Sequence, residues 1–504
     1  MMKKRITLIA LLLALFIALL PALVACDDKE SAASGGSETL VIYNWEDYID
    51  PGDIEADRAP LIDDFCAYYK EVTGNDLKIT YTTFDTNETM MTKVQNNDAN
   101  VDLICPSEYA IEKLLSAGLL QNQKSLYEKS KSEFDRLGVT LDGMSSLGNG
   151  FGNIEPAVME VIKSEFGNIV VGDKSYDMTE YMVPYMYGTL GILYNKNYIS
   201  EEDLKEYGWG ILWNVSESET LENKILMKDS VRDTYAAALF YMYEYDLLPE
   251  KYDYIEEAQQ LINITDDEML ELAEQILTEQ RDHISGYEVD FGKDDMINEI
   301  VYADFAWSGD ALWAVEESYD EDADECFLGY YCPSGVNPKT KKQRFSNIWY
   351  DGWVIPNTVK NTRAALMFID YMCRPESAIR NSVAIGYTCA VDKTMLAEND
   401  DVLAFLEEQE YDTEEYFDDI GRYPVINKAL GVMRDFGSRN DALVNMWQRA
   451  KSGSGVDASL GIIVAVIVVA VALALGIYFL VEALRSRPRK IKQEPDRPAT
   501  PSKE

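Results

Sequence analysis

The run from Leu460 to Val481 constrains this chain more than any other stretch. It holds 22 residues without a charge, and about 20 apolar residues suffice for a helix to cross a bilayer. A basic cluster follows: Arg485, Arg487, Arg489, Lys490 and Lys492. Basic flanks stay on the cytoplasmic side, so this order predicts a transmembrane helix at 460–481, a cytoplasmic tail at 482–504, and everything earlier outside. The other end agrees. Lys3-Lys4-Arg5 precedes an almost wholly apolar stretch, Ile6 to Ala25, the pattern of an export signal. It closes on Leu23-Val24-Ala25-Cys26, which resembles a bacterial lipobox: small residues suit the peptidase pocket, and the thiol can take a diacylglyceryl group. Residues 1–25 therefore read as a lipoprotein signal peptide, Cys26 as the lipidated first residue, 26–38 as a tether and 451–459 as a flexible linker.

What lies between has to fold on the extracytoplasmic face of the cell membrane. The full 504 residues allow two or three domains, and 47% hydrophobic with 26% charged residues is globular material. Acids outnumber bases 88 to 45, a net charge of −43. Phosphate recognition needs a basic face, so nucleic acid is not an expected partner. With Cys26 lipidated, six cysteines remain. Cys326 and Cys332 are near enough to close a loop outside the cell, and Cys105 sits in an apolar strand as a plain buried thiol.

From 39 to about 195, short apolar runs alternate with helical stretches: strands near 39–42, 77–83 and 101–106, helices near 59–73, 88–96 and 110–115. That alternation argues for an α/β sheet, mostly parallel. Gly143 to Val171 reads as an irregular surface excursion. A second α/β region spans 196–348, with Glu256–Gln280 as one acidic amphipathic helix and Tyr319–Glu325 as a solvated acidic loop. We expect lobe 1 at 39–190 with 350–395 returning to it, and lobe 2 at 191–349 with the closing helices of 396–450.

The chain has one histidine, His283, in a polar stretch. A Ser-His-Asp site and a multi-His metal site are therefore not expected, and neither is a resident cofactor, since no phosphate-cradling glycine loop follows a strand. What recurs is a pairing of aromatics with acids at strand ends: Trp45/Asp47/Tyr48, Trp307/Asp310 and Trp349/Asp351, with Ser107, Tyr109 and Tyr387 nearby in type. Ligands of α/β sheets sit beyond the carboxyl ends of strands. Converging clusters of this kind would make an aromatic box with anionic ends, which suits a flexible diamine. The segment Asp229-Ser230-Val231-Arg232-Asp233 precedes a helix and reads locally as N-cap chemistry. A carboxylate-pair hydrolase and a membrane-spanning sensor are the competing readings of these features.

Seven motifs in order carry a resemblance: Tyr43-Asn-Trp-Glu-Asp-Tyr48, Asn87-Glu-Thr-Met90, Asp102-Leu-Ile-Cys-Pro-Ser-Glu-Tyr109, Asp229–Asp233, Trp307-Ser-Gly-Asp310, Trp349-Tyr-Asp351 and Ile385-Gly-Tyr387. With them the chain resembles the spermidine/putrescine-binding proteins of bacterial ABC importers (PotD/PotF type) from about 39 to 450. The resemblance implies a non-enzymatic receptor of two α/β lobes, closing like a hinge on a polyamine and serving an ABC permease with its ATPase subunits. It implies an aromatic box of Trp45, Tyr109, Trp307, Trp349 and Tyr387. It makes Asp47, Asp233, Asp310 and Asp351 the ammonium partners, with Tyr48 beside them and Ser107 adding a hydrogen bond. Glu46 is expected to point away on the extended strand end. Ser230 and Met433 depart from spermidine-preferring relatives, and Asp47 with Asp310 look closer to the putrescine-preferring branch. Another small cationic solute is the alternative ligand.

Overall fold

The computed structural model describes residues 36–452 apart from 55, 57, 97–99, 142–151, 321 and 322. The leader, Cys26, most of the tether, the run 460–481 and the basic tail lie outside the described residues. Among the described residues, no helix is long and apolar enough to cross a membrane.

Strand β1 (Ser37–Trp45) runs parallel to β2 (Asp76–Phe84), with Ser37 opposite Asp76 and Trp45 opposite Phe84. It also runs parallel to β3 (Leu103–Ile104). Parallel neighbours need a crossover. The helix Leu61–Thr73 supplies the first, burying Leu61, Phe65 and Tyr69 at four-residue spacing and stopping at Gly74 in the left-handed region. The helix Asn87–Gln95 supplies the second, capped by the Thr86 hydroxyl, which accepts from the Thr89 N–H.

Residues 152–176 differ from the expected irregular excursion. They form a helix, Pro156–Phe166, and a hairpin of β4 (Ile169–Val171) and β5 (Lys174–Tyr176). Val158, Ile162 and Phe166 recur every four residues and put one apolar stripe into the core, while Pro156 starts the helix where its missing N–H costs nothing.

Strand β6 (Met182–Asn195) is buried along its whole length. Beyond it, β7 (Ile225–Lys228) pairs parallel with both β8 (Gly286–Glu288) and β9 (Ala303–Trp307). The acidic stretch after 318 becomes an exposed two-stranded hairpin, β10 (Tyr319–Asp320) with β11 (Glu325–Cys326). Strands β12 (Leu328–Tyr331), β13 (Ser346–Val354), β14 (Thr388–Cys389) and β15 (Leu430–Gly431) complete the set. All six described cysteines are free thiols, so Cys326 and Cys332 do not close a loop; Cys105 is buried as expected. The expected single helix over 256–280 is two, Ala258–Ile262 and Asp267–Gln280, because the Asp266 carboxylate caps the second.

One continuous sheet runs β2-β1-β3-β13-β6-β9-β7-β8. The flanks are parallel and the centre antiparallel. Strand β6 pairs with β13 over Met182–Thr189, then with β9 over Leu190–Tyr194, while β13 reaches β3 at Val354. These two strands cross between two lobes, each with its own core. The first core gathers β1–β3 and the helices Thr362–Met372 and Pro375–Ile385. The second surrounds the helix Val231–Glu244 and Trp209. The stretch 396–450, expected with the second lobe, divides. Leu396, Val402, Leu406, Tyr416 and Phe417 pack into the first core, and Leu443, Met446 and Trp447 into the second. The helices at 393–418 come after the first-lobe helix Pro375–Ile385 and the short strand β14, and the chain turns back only where β15 pairs with β13 at Ser346 and Asn347.

Candidate functional site

The parallel strands of both lobes deliver their carboxyl ends to one place. Trp45 at the end of β1, Phe84 at the end of β2 and Ser107 just after β3 face Lys228, Glu288 and Trp307, the last residues of β7, β8 and β9. They line a single cleft with roughly 1110 Å³ of space, including what is open to solvent.

At the first-lobe pole the chain leaves β1 at Trp45 and turns through Asp47, whose φ of 48° is left-handed, a conformation Asp tolerates better than most residues. The turn brings Glu46 to the cleft wall beside Asp47. Glu46 was expected to point away. Strand alternation stops at Trp45, so the pleat no longer sorts the side chains that follow. Tyr48 is buried and donates to Asp351 Oδ2 at 2.9 Å. Asp351 lies at a register shift: it pairs with Met186, Gly352 pairs with Pro184, and Tyr185 of β6 is the extra residue. Pro184 has no N–H to give the ladder, and a bulge is where such a residue fits. Bulges re-aim side chains, and this one sits where β13 leaves β6 for β3, with the Gly352 N–H donating to the Pro106 carbonyl at 3.1 Å.

Asp351 is buried, and its Oδ1 has no hydrogen-bond partner among the described residues. Burial pushes its carboxyl up to about 7, with the Ser107 and Tyr48 hydroxyls pulling it back and the nearby Asp233 adding to the rise. Three rings gather beside it. Tyr387 meets Tyr48 edge-on at 5.0 Å and Trp349 at 5.7 Å between centroids. The Trp349 ring lies across Gly188, where a Cβ would come within 2.6 Å of it, so only glycine allows the approach. The indole N–H groups of Trp45 and Trp349 are buried without partners among the described residues. Asn87 orders the neighbouring wall, donating to the Ser107 hydroxyl at 3.0 Å and the Tyr109 hydroxyl at 3.1 Å.

The second-lobe pole is built differently. The Lys228 ammonium is buried, 2.5 Å from Glu288 Oε1 and 3.9 Å from Asp310 Oδ2. It donates to the Val289 carbonyl at 2.9 Å and stands 4.6 Å from the centroid of the Trp307 ring. Lys293 lies 3.6 Å from Asp310 Oδ1. Gly309 leaves room for the Tyr387 ring, which any Cβ there would strike. Asp233 serves two ends. Its backbone N–H donates to the Ser230 hydroxyl, which caps the helix, and its Oδ2 accepts from Trp307 Nε1 at 3.3 Å. Burial pushes the Asp233 carboxyl up, the Ser230 hydroxyl pulls it back and Glu88 pushes it further. The neighbouring Arg232 spans the cleft, 4.5 Å over the Tyr109 ring and 3.6 Å over Phe436. Arg434 also bridges the lobes, gripping the Glu112 carboxylate with contacts of 2.6 and 3.0 Å.

Trp45, Asp47, Tyr48, Ser107, Tyr109, Asp233, Trp307, Asp310, Trp349, Asp351 and Tyr387 thus all line the same cleft. Their surroundings are unequal: Asp310 already has two ammonium neighbours, whereas no ion pair reaches Asp47, Asp233 or Asp351 among the described residues. Sequence reasoning missed Lys228, Lys293, Glu288, Asn87 and Glu108. The Glu108 carboxylate accepts from the Tyr350 N–H at 2.9 Å, and burial pushes it up to about 8.

The family described as bacterial extracellular solute-binding protein matches residues 64–402. The spermidine/putrescine-binding periplasmic protein of Salmonella typhimurium is 24% identical over 359 residues, covering 71% of this chain and 79% of that protein. The putrescine-binding periplasmic protein PotF of Escherichia coli is 24% identical over 362 residues, covering 70% of this chain and 78% of that protein. Among solved structures, a putative spermidine/putrescine ABC transporter from Listeria monocytogenes superposes with a TM-score of 0.56 at 25% identity, covering 82% of this chain and 98% of that one.

Proposed function

Because the chain belongs to the bacterial extracellular solute-binding protein family, we propose that its cleft captures a polyamine, putrescine or spermidine, and delivers it to an ABC importer. The observation that carries this reading is the Asp351 carboxylate: buried, with one oxygen lacking a partner among the described residues, beside the rings of Tyr48, Trp349 and Tyr387. A buried carboxylate oxygen left unpaired is costly. An alkylammonium would satisfy it, while the methylenes that follow pack on ring faces and cation–π attraction adds about 0.5–2 kcal/mol. Asp47 and Asp233, which no ion pair reaches among the described residues, supply further carboxylates for a second ammonium. An anionic or neutral solute would leave the Asp351 and Asp233 carboxylates without a counter-cation. The names of the similar proteins, spermidine/putrescine-binding and putrescine-binding, point to the same ligands.

The test is calorimetry on the full chain in detergent, titrated with putrescine and spermidine at pH 8. Binding of either, lost in Asp351→Asn, is the expected result; heats no larger for the wild type than for the variant would end the polyamine reading. Membrane tethering completes the proposal, with diacylglyceryl on Cys26, a helix at 460–481, and the tail at 482–504 in the cytoplasm. Two anchors would hold the receptor beside its permease and raise its effective concentration without a new contact. Incorporation of labelled lipid that persists in Cys26→Ala would remove the lipid anchor from this account.

A further inference from the structure

Lys228 is not a surface lysine. It ends the apolar strand β7, its side chain is buried, and its ammonium stands over the Trp307 ring between Glu288 and Asp310. That is the environment the rest of the cleft offers to an alkylammonium: a ring face, two carboxylates and little water. The strand geometry puts it there. Parallel pairing sets Lys228 beside Glu288, the last residue of β8, and β9 ends alongside at Trp307. Lys293 then approaches the other oxygen of Asp310. The second-lobe pole therefore holds two ammoniums against Glu288 and Asp310, with the buried Asp304 and the cleft-lining Asp290 adding to the acid around them. The carboxylates of Asp47, Asp233 and Asp351 have no ammonium or guanidinium in ion-pair contact among the described residues.

We propose that Lys228 is a built-in cation that takes the position of a third ligand ammonium, so that the cleft selects a short α,ω-diamine over a triamine. This rests on the polyamine reading above. A diamine can distribute its two charges over the unpaired carboxylates with its chain along Trp349 and Tyr387. A triamine must send its extra ammonium toward the second-lobe pole, where it meets Lys228 on one face of Trp307, finds Glu288 and Asp310 already paired, and has only Asp290 to turn to, itself beside Lys228 and Lys293. Like charges repel there, and Lys228 cannot leave without stranding the buried Glu288 carboxylate.

The experiment compares putrescine and spermidine affinities by calorimetry on the full chain in detergent, for the wild type, Lys228→Met and Lys293→Met. Lys293 is partly exposed and loses only its approach to Asp310, so the second variant decides the matter if the first does not fold. The wild type should bind putrescine about tenfold or more tighter than spermidine. Lys228→Met should narrow or invert that ratio by about tenfold through a gain in spermidine affinity, and Lys293→Met should shift it the same way by a smaller factor. Equal wild-type affinities, or a ratio unmoved in the variants that fold, overturn the inference and leave the polyamine reading standing. A wild type that binds neither polyamine takes both down.

Discussion

The two poles of the cleft use the same residue types to opposite effect. At the first-lobe pole, Asp351, Trp349 and Trp45 present polar atoms that have no partner among the described residues. At the second-lobe pole, Asp310 and Trp307 are occupied by the chain's own lysines and by Asp233. Aromatic-plus-acid pairing is therefore not itself the mark of a ligand contact. The mark is pairing that the fold leaves incomplete. A buried polar group without a partner stores free energy that a ligand can release, whereas a satisfied one offers only packing.

The sharpest way to break this contrast is a pair of isosteric variants. Asp351→Asn should weaken polyamine binding by about 2–5 kcal/mol, the range for losing one member of a buried charge pair. Asp310→Asn should cost less than about 1 kcal/mol of affinity, because its carboxylate already faces Lys228 and Lys293. Titration calorimetry reads both, and equal losses would erase the distinction. The second prediction is a pH profile. A ligand ammonium requires ionised Asp351, so affinity should be full above about pH 7 and fall about tenfold per unit below it, until the lower pKa of the ligand-bound carboxyl is reached.

The same burial gives the ligand-free protein the reverse trend. Asp351 and Glu108 are raised to about 7 and about 8 from ordinary values of 3.8 and 4.5, so between those limits the folded state binds more protons than the unfolded one. Stability should therefore fall as pH rises from about 4 to 8, and added polyamine should flatten the loss at neutral pH. Thermal melts across that range check the sign.

Smaller effects refine the comparison. Trp349→Leu should cost about 0.5–2 kcal/mol of ligand affinity. Trp307→Leu should cost less affinity and instead lower the melting temperature, since Lys228 stands over that ring and its indole N–H donates to Asp233. The smallest effect belongs to Glu112→Gln, which loosens the Arg434 bridge between lobes. It should weaken any ligand that needs closure by about 0.2–1 kcal/mol, without changing the preference between diamine and triamine.

The wall of the site was legible from sequence, and its balance of charge was not. Trp45, Asp47, Trp349 and Asp351 announce themselves because aromatics and acids at strand ends have little to do in a core. Lys228 gave no such signal. It follows Ile225-Leu-Met on a strand, and only its register against Glu288, 60 residues later, makes it an interior cation. Glu46 failed for a local reason, since a left-handed residue at 47 cancels the pleat rule. The helix Pro156–Phe166 was readable in principle from Val158, Ile162 and Phe166, but the glycines at 148, 150 and 152 just before it made the stretch look irregular. The division of 396–450 between lobes rests on pairings such as Ser346 with Leu430, which no local pattern encodes.

Strand β6 carries a consequence for how the molecule comes apart. Its first half belongs to the antiparallel ladder with β13 and its second half to the ladder with β9, and every residue of it is buried. Neither lobe owns an independent sheet, so loosening one strips hydrogen bonds from the edge of the other. Heat should therefore melt both lobes in a single calorimetric transition, with equal van't Hoff and calorimetric enthalpies, rather than as two modules in succession. A protein whose working motion needs two bodies would then behave, on denaturation, as one.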